Sequence, residues 1–461
     1  MRAFLAARPP RAGTRVGATY AIPLSSLTVH ELEDEKEHLT LQARCTFGAP
    51  PPPFCAYRVA EGALHVPRFY GLARYGPAAA DDRVDGEPID IAFVGTPTAV
   101  QARATAAVAA RDFAEEGGVK GTIVVLPCGY GKTCWAIQQM ARLKRKTCVI
   151  VHKGVLRDQW VGAIARFCAP GVRVGVLQGD VNDVDACDVV IAMVLTLARR
   201  EYANLDKIGL VICDEAHHMA APVMNLAMRH FRARHVIGLT ATLERPDGLT
   251  PLLHHTLGPE GFRAERDSEP VRVSVALFQG GSREILTRDG KPIAALMINA
   301  LAKHAGRNAF LVRRVVALRR GGRVIMVLSD RIEQLKTLKA MLATHLPEEE
   351  LGLFVGATKE AQRAAELAKP VVLCSYAMAN EGVDKVELDT CIFATPKGRV
   401  TQAIGRCQRP CATKQAPLVL DVADDANVFT ALRWTRQRYY SKERYAVQTL
   451  AATVDAGQWW T

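Results

Sequence analysis

Between Gly121 and Thr133 the chain reads GTIVVLPCGYGKT, and few local structures accommodate that run. Ile123 to Leu126 is apolar without alternation, the pattern of a strand buried on both faces. It leads into a turn holding Gly129 and Gly131, followed by Lys132 and Thr133. Strand, phosphate loop and helix follow in that order. Such a loop wraps backbone N–H groups around nucleotide phosphates while the helix directs its positive dipole end at them. Lys132 would reach the β- and γ-phosphates, and the Thr133 hydroxyl would ligate Mg²⁺. The strict template G-x-x-x-x-G-K-[ST] has a glycine where this chain has Leu126. From these residues alone, a glycine turn beside a surface lysine stays open as the alternative.

The rest of the chain repeats the strand signal. Short apolar runs recur at 147–152, 188–193, 209–213 and 235–239, separated by stretches of helical period such as Trp135 to Leu143. A further set follows at 271–278, 323–329, 351–355, 370–375, 390–395 and 417–422, without a second phosphate loop. With 461 residues, two or three domains are expected. The pattern predicts an α/β chain of two tandem parallel-sheet domains, over 86–260 and 261–430, with a nucleotide held at their interface. Before them, 20–85 reads as a small α+β accessory module containing the proline run Pro50 to Pro53, and 76–90 reads as a linker. Residues 1–19 read as a basic disordered tail and 431–461 as a basic, aromatic extension.

The formal net charge of +12 makes a polyanion, nucleic acid first, the partner to test, with a uniformly basic surface as the plainer reading. Twelve cysteines lie scattered without C-x-x-C pairs, which fits a reducing compartment and gives no zinc pattern. No apolar run approaches the length of a membrane span. Arg2, Arg8, Arg11 and Arg15 precede the first acidic residue, Glu31, as in a mitochondrial transit peptide, although Pro9, Pro10 and Gly13 favour a disordered tail.

Three further groups carry chemistry. Asp214 and Glu215 end the 209–213 strand, where an aspartate can hold Mg²⁺ and a glutamate can polarise water. His217 and His218 beside them leave a metal cluster as an alternative, although Mg²⁺ prefers oxygen ligands. Thr240 and Thr242 end the 235–239 strand, placed to hydrogen-bond the Asp214–His217 turn. Arg406 and Arg409 stand three apart, and on a helix they would share one face as arginine fingers for a γ-phosphate.

In order along the chain, LPCGYGKT, DEAH, LTAT, SYAMANEGVD and QAIGRCQR resemble the motifs of superfamily 2 helicases. LTATLERPDGL is similar to the DEAH-box-containing branch of XPB-type and UvsW-type helicases. GRVIMVLSDRIEQL and VPRFYGLARYG look like helicases of large eukaryotic DNA viruses, among them the poxvirus transcript-release helicase. The resemblance implies RecA-like domains, with ATP and Mg²⁺ as cofactors. It implies phosphate binding by Gly129, Gly131, Lys132 and Thr133, with Asp214 and Thr133 on the metal and Glu215 on the catalytic water. His217, Thr240 and Thr242 would couple hydrolysis to movement. Gly382 and Asp384 would lie at the domain interface, Asp384 near the nucleotide, and Gln402 would touch nucleotide or water. Gln101 would read adenine, although TPTAVQ matches that motif poorly.

Nucleic-acid contacts would come from His152, Lys153, Ser329 and Arg331. Trp434 and Arg436 would add to them from RWTRQRYYSKERY, which equally reads as an amphipathic helix packing its aromatics on the second domain. The expected activity is an ATP-dependent helicase or translocase on DNA, in repair, recombination or transcription. An RNA helicase and a non-catalytic nucleic-acid-binding scaffold are the alternatives. Transcription or repair machinery would be its partners, with no membrane, as a monomer inside a cell, infected if the chain is viral.

Overall fold

The computed structural model describes residues 10–44, 50–113, 119–127, 129–217, 222–245, 247–265, 271–279, 285–287, 290, 292–381, 383, 385–409, 411, 413–425 and 427–453. The chain divides into two compact units, Met1–Glu265 and Arg266–Thr461, each built on a parallel sheet with helices on both faces.

In the first unit the strands run in the order Val181–Asn182, Val174–Gln178, Val189–Met193, Thr147–Val151, Leu210–Cys213, His235–Thr240, Gly121–Val125, Glu260–Arg263. Every pairing except that of Val181–Asn182 is parallel. Ile123, Val125, Cys148 and Ile150 enter one core, while Val124, Leu126, Val149 and Val151 enter the other. Both faces are covered, which is why these strands are apolar throughout rather than alternating.

The N-terminal segments depart from the sequence reading. Within the expected disordered tail, Arg11–Val16 is a strand, paired antiparallel with Thr19–Pro23 and parallel with Ala78–Asp81. These join Ala63–Pro67 and Arg58–Ala60 in a five-stranded sheet. No separate module ends near residue 85, because Tyr20, Leu64, Val66 and Phe69 share one core with Ile123 and Cys213. The expected linker is pinned by charge. Arg234 bonds Asp81 at 3.0 Å and Asp85 at 2.8 Å, and Lys146 bonds Glu87 at 2.8 Å. Its Gly, Pro and Asp content suggested a linker, and three of its acidic residues face arginine and lysine instead.

The second unit has a seven-stranded parallel sheet in the order Leu351–Phe354, Val371–Ser375, Ile325–Ser329, Thr390–Phe393, Leu418–Asp424, Arg272–Gln279, Ala446–Thr453. The last strand belongs to the stretch expected as an extension, and it completes this sheet. The helix Asn427–Lys442 before it packs inward through Phe429, Arg436 and Tyr440. Two buried carboxylates on the strand Leu418–Asp424 organise that side. Asp424 takes both Nε and Nη2 of Arg307, at 2.8 and 2.9 Å. Asp421 accepts from Arg436 Nε at 2.8 Å and from Tyr440 Oη at 2.9 Å. Arg436 also donates to the Lys397 carbonyl at 2.6 Å. Arg436, expected among the nucleic-acid contacts, is thus a structural residue that locks a helix to its sheet.

Removing one partner of a buried pair leaves the other charge uncompensated, which costs about 3–5 kcal/mol. Arg436→Met should therefore lower stability by about that amount in urea unfolding, and pairing it with Asp421→Asn should recover part of the loss.

Candidate nucleotide site

Thr147–Val151, Leu210–Cys213, His235–Thr240 and Gly121–Val125 are neighbours, all pointing the same way. Their carboxyl ends bring His152, Asp214, Thr240 and the 126–133 loop together, where open α/β sheets bind ligands. Gly129 and Gly131 have φ of 91° and 74°, the left-handed region that glycine enters without Cβ strain. Gly131 caps the helix Lys132–Leu143, and no side chain accepts at that cap. The first-turn N–H groups are left to an anion. Lys132 Nζ lies 3.5 Å from the Leu126 carbonyl, folded back across the loop.

Gln101 is 3% exposed and does something other than read a base here. Its Nε2 donates to the carbonyls of Tyr130 and Gly131 at 3.2 and 3.1 Å, and its Oε1 accepts from Thr98 N at 2.9 Å. Thr98 in turn accepts from Gln101 N, closing a capping box on the helix Ala99–Arg111. Gln101 braces the phosphate loop. A Cβ on Gly131 would meet its Nε2 at 2.4 Å, so loop and brace fit only with glycine there.

Asp214 follows the strand directly. Its Oδ2 accepts the Trp160 indole N–H at 2.9 Å and its Oδ1 accepts Glu215 N at 2.9 Å. Burial raises its pKa, Glu215 adds to the rise, and the Trp160 hydrogen bond and Lys132 oppose it. Glu215 itself sits at φ 49°, a left-handed conformation costing a residue with a side chain about 1–2 kcal/mol. Its Oε2 is 3.5 Å from His217 Nδ1. Thr240 Oγ1 lies 2.7 Å from Thr242 O and 3.3 Å from His217 Nδ1, within hydrogen-bond reach of both. His217 is in turn mostly buried. Burial holds its pKa below the ordinary value despite Glu215, keeping it neutral. Thr242 N donates to Thr240 Oγ1 at 3.1 Å, and Arg245, in an ion pair with Asp247, donates to the His217 carbonyl. A connected path thus runs from Glu215 through His217 and Thr240 to Thr242.

The remaining sequence candidates separate. His152 is half-buried within electrostatic reach of His217, and Lys153 is exposed at the start of the helix Gly154–Phe167. In the second unit Ser329 is fully buried and donates to Gln334 at 2.7 Å. Arg331 bonds Asn299 and the Ala295 and Asp330 carbonyls. Ser329 therefore serves the fold, and Arg331 is partly exposed with its guanidinium engaged by those groups. Gln402 and Arg406 lie on the helix Thr401–Cys407, with Arg406 donating to the Ala379 and Val383 carbonyls at 3.2 and 3.0 Å. That helix ends before Arg409, so the two arginines do not share the helical face expected from their spacing. Gly382, Asp384 and His218 lie outside the described residues. Trp434 is 58% exposed. Sequence reasoning missed Trp160, whose spacing with Leu156 and Ile164 reads only as a buried helix face, and Arg245, which carries no signal of its own.

Residues 95–245 match the family model described as Type III restriction enzyme, res subunit. An Acanthamoeba polyphaga mimivirus protein named as an ATP-dependent RNA helicase is 28% identical over 398 residues, spanning 84% of this chain and 76% of that protein. These matches support a superfamily 2 helicase carrying a domain of this kind over residues 95–245. Among solved structures, Saccharomyces cerevisiae Dbp5 bound to RNA and ADP BeF3 has a TM-score of 0.52 at 14% identity, over 78% of this chain and 90% of that one. The DNA-bound Type ISP restriction-modification enzyme LlaBIII has a TM-score of 0.54 at 14% identity, over 78% of this chain and 32% of that one. Both show the RecA-like helicase fold. The helicase is a nucleic-acid-dependent ATPase that uses ATP, typically with Mg²⁺. A hydroxyl at Thr133 and a carboxylate at Asp214 are the hard oxygen donors Mg²⁺ takes, and the uncapped helix end suits phosphate. Thr133 and Asp214 would hold the ion, which would supply neutralisation of charge developing on the phosphates.

Lys132→Ala should abolish ATP hydrolysis while nucleic-acid binding stays largely intact, measured by phosphate release and by oligonucleotide anisotropy on one preparation. Trp160→Phe keeps the ring and removes the N–H; it should weaken Mg²⁺ dependence or activity by about 10- to 100-fold, read from a Mg²⁺ titration of hydrolysis.

Proposed function

We propose that the helicase couples ATP hydrolysis to movement on DNA, or to its unwinding, in repair, recombination or transcription. The observation that carries the ATPase half is the joining of the 126–133 loop with Asp214, Glu215, His217 and Thr240 at one end of one sheet. In this reading Lys132 holds the γ-phosphate side and Asp214 and Thr133 hold the metal. Glu215 orients and deprotonates the attacking water, and the path through His217 and Thr240 carries the nucleotide state to Thr242. Arg406, Arg409, Gln402 and Asp384 are assigned to nucleotide hydrolysis by the same resemblance.

DNA is preferred on the likeness of LTATLERPDGL to the XPB and UvsW branch, and the transcript-release helicases of DNA viruses are the kind of protein we assign it to. RNA is the second reading, because the mimivirus relative is named for RNA. That relative is viral, so action inside an infected cell is part of the proposal. Among the described residues no helix is long and apolar enough to cross a membrane.

Steady-state hydrolysis by the purified chain, alone and with single-stranded DNA, duplex DNA and RNA at one salt concentration, tests both halves. Stimulation by DNA is expected. Stimulation by RNA alone would overturn the choice of track, and no hydrolysis under any condition would overturn the ATPase assignment.

A further inference from the structure

The helix Asn427–Lys442 has two unlike faces. Phe429, Arg436 and Tyr440 point inward and are at most 2% exposed. Ala431, Trp434, Thr435, Arg438, Ser441 and Lys442 are exposed along the other side. Trp434 is the one aromatic among the large hydrophobic side chains exposed in the described residues. An indole left 58% in water has gained little from folding, so its place on the surface is not explained by packing. Arg438 stands one turn beyond it and Lys442 two turns, about 6 and 12 Å along the axis. Neither makes an ion pair within the described residues. From residue 427 to 453 the chain has a single acidic residue, Glu443, outside that helix. The platform is also held in place, since Arg436 and Tyr440 fix the opposite face to Asp421.

We propose that this stripe is a stacking platform for single-stranded nucleic acid, with Trp434 taking an unpaired base and Arg438 and Lys442 the adjoining phosphates. The proposal rests on the nucleic-acid reading above and adds the place and the strandedness. A free aromatic face can stack only on a base released from pairing, and cations spaced along one line suit a backbone laid along the helix. Stacking is tolerant of the base and of the sugar, so DNA and RNA of one sequence should depend on Trp434 alike. Duplex, whose bases are already stacked, should depend on it little.

The test is binding of a labelled single strand of about 16 nucleotides, as DNA and as RNA, and of the matching duplex to the full chain. Trp434→Ala should weaken single-strand binding by about tenfold or more, while Trp434→Phe, which keeps a ring, should restore most of it. Trp434→Leu, apolar without a π-face, should not. Arg438→Ala with Lys442→Ala should lower the slope of log affinity against log salt by about 1.4, two phosphates at the single-strand value. Unchanged single-strand binding in Trp434→Ala, equal rescue by leucine and phenylalanine, or an equal loss on duplex would each overturn the proposal. If wild-type hydrolysis responds to nucleic acid and these variants behave as wild type, only the stripe fails. If wild-type hydrolysis responds to none, the parent reading fails as well.

Discussion

The hydrogen bond from the Trp160 indole to Asp214 holds a carboxylate that the sheet has partly taken out of water. An isolated charge in that position would cost several kcal/mol, and the usual relief is to bind a proton and become neutral. Here burial and Glu215 both push toward neutrality, while Trp160, the Glu215 N–H and Lys132 hold the charge. The balance suits a group that must meet a cation. Its neighbours join it, since Glu215 gives its N–H to Asp214 from a left-handed turn and its own carboxylate lies 3.5 Å from His217 Nδ1. One half-buried carboxylate thereby links the geometry from Trp160 to Thr240.

The second unit uses the same physics for a different end. Asp421 and Asp424 are buried near the end of their strand, but each already has an arginine, so neither needs a ligand. Their partners sit on two helices, Ala305–Arg320 and Asn427–Lys442, and each pair is a strut between helix and sheet. With Arg436 turned inward, the cations left on the outer face are Arg438 and Lys442. Basic residues close in sequence have been sorted into fold and surface by which of them meets a buried carboxylate.

Much of the ATP-binding half was legible in the sequence because its signals are local. Apolar runs mark strands buried on both faces, glycines mark a loop that needs positive φ, and a strand ending in Asp-Glu marks the carboxyl edge of a parallel sheet. What could not be read depends on distant partners. Arg11–Val16 is basic and holds a glycine, and its neighbours as a strand are Thr19–Pro23 and Ala78–Asp81. The acidic 76–90 stretch is organised by Arg234 and Lys146 from far along the chain. The half-exposed strands Val174–Gln178 and Glu260–Arg263 lie outside the continuous apolar runs. Arg436, Ser329 and Arg331 belong to the same class, since only the tertiary structure shows that their polar groups are already engaged. Gln101 forms a capping box with Thr98, and the loop it braces lies nearly thirty residues later, beyond the reach of local reading.

The claim on which all of this converges is that Glu215, set by its strained turn beside Asp214, orients and deprotonates the water that attacks ATP. Single-turnover hydrolysis by Glu215→Gln, with protein in excess over ATP and nucleic acid present, addresses it directly. The amide keeps the size and the backbone N–H given to Asp214 but cannot take a proton. ATP binding should stay close to wild type and hydrolysis should slow by about 100-fold or more. Hydrolysis near the wild-type rate in that variant would contradict it and place the catalytic base elsewhere.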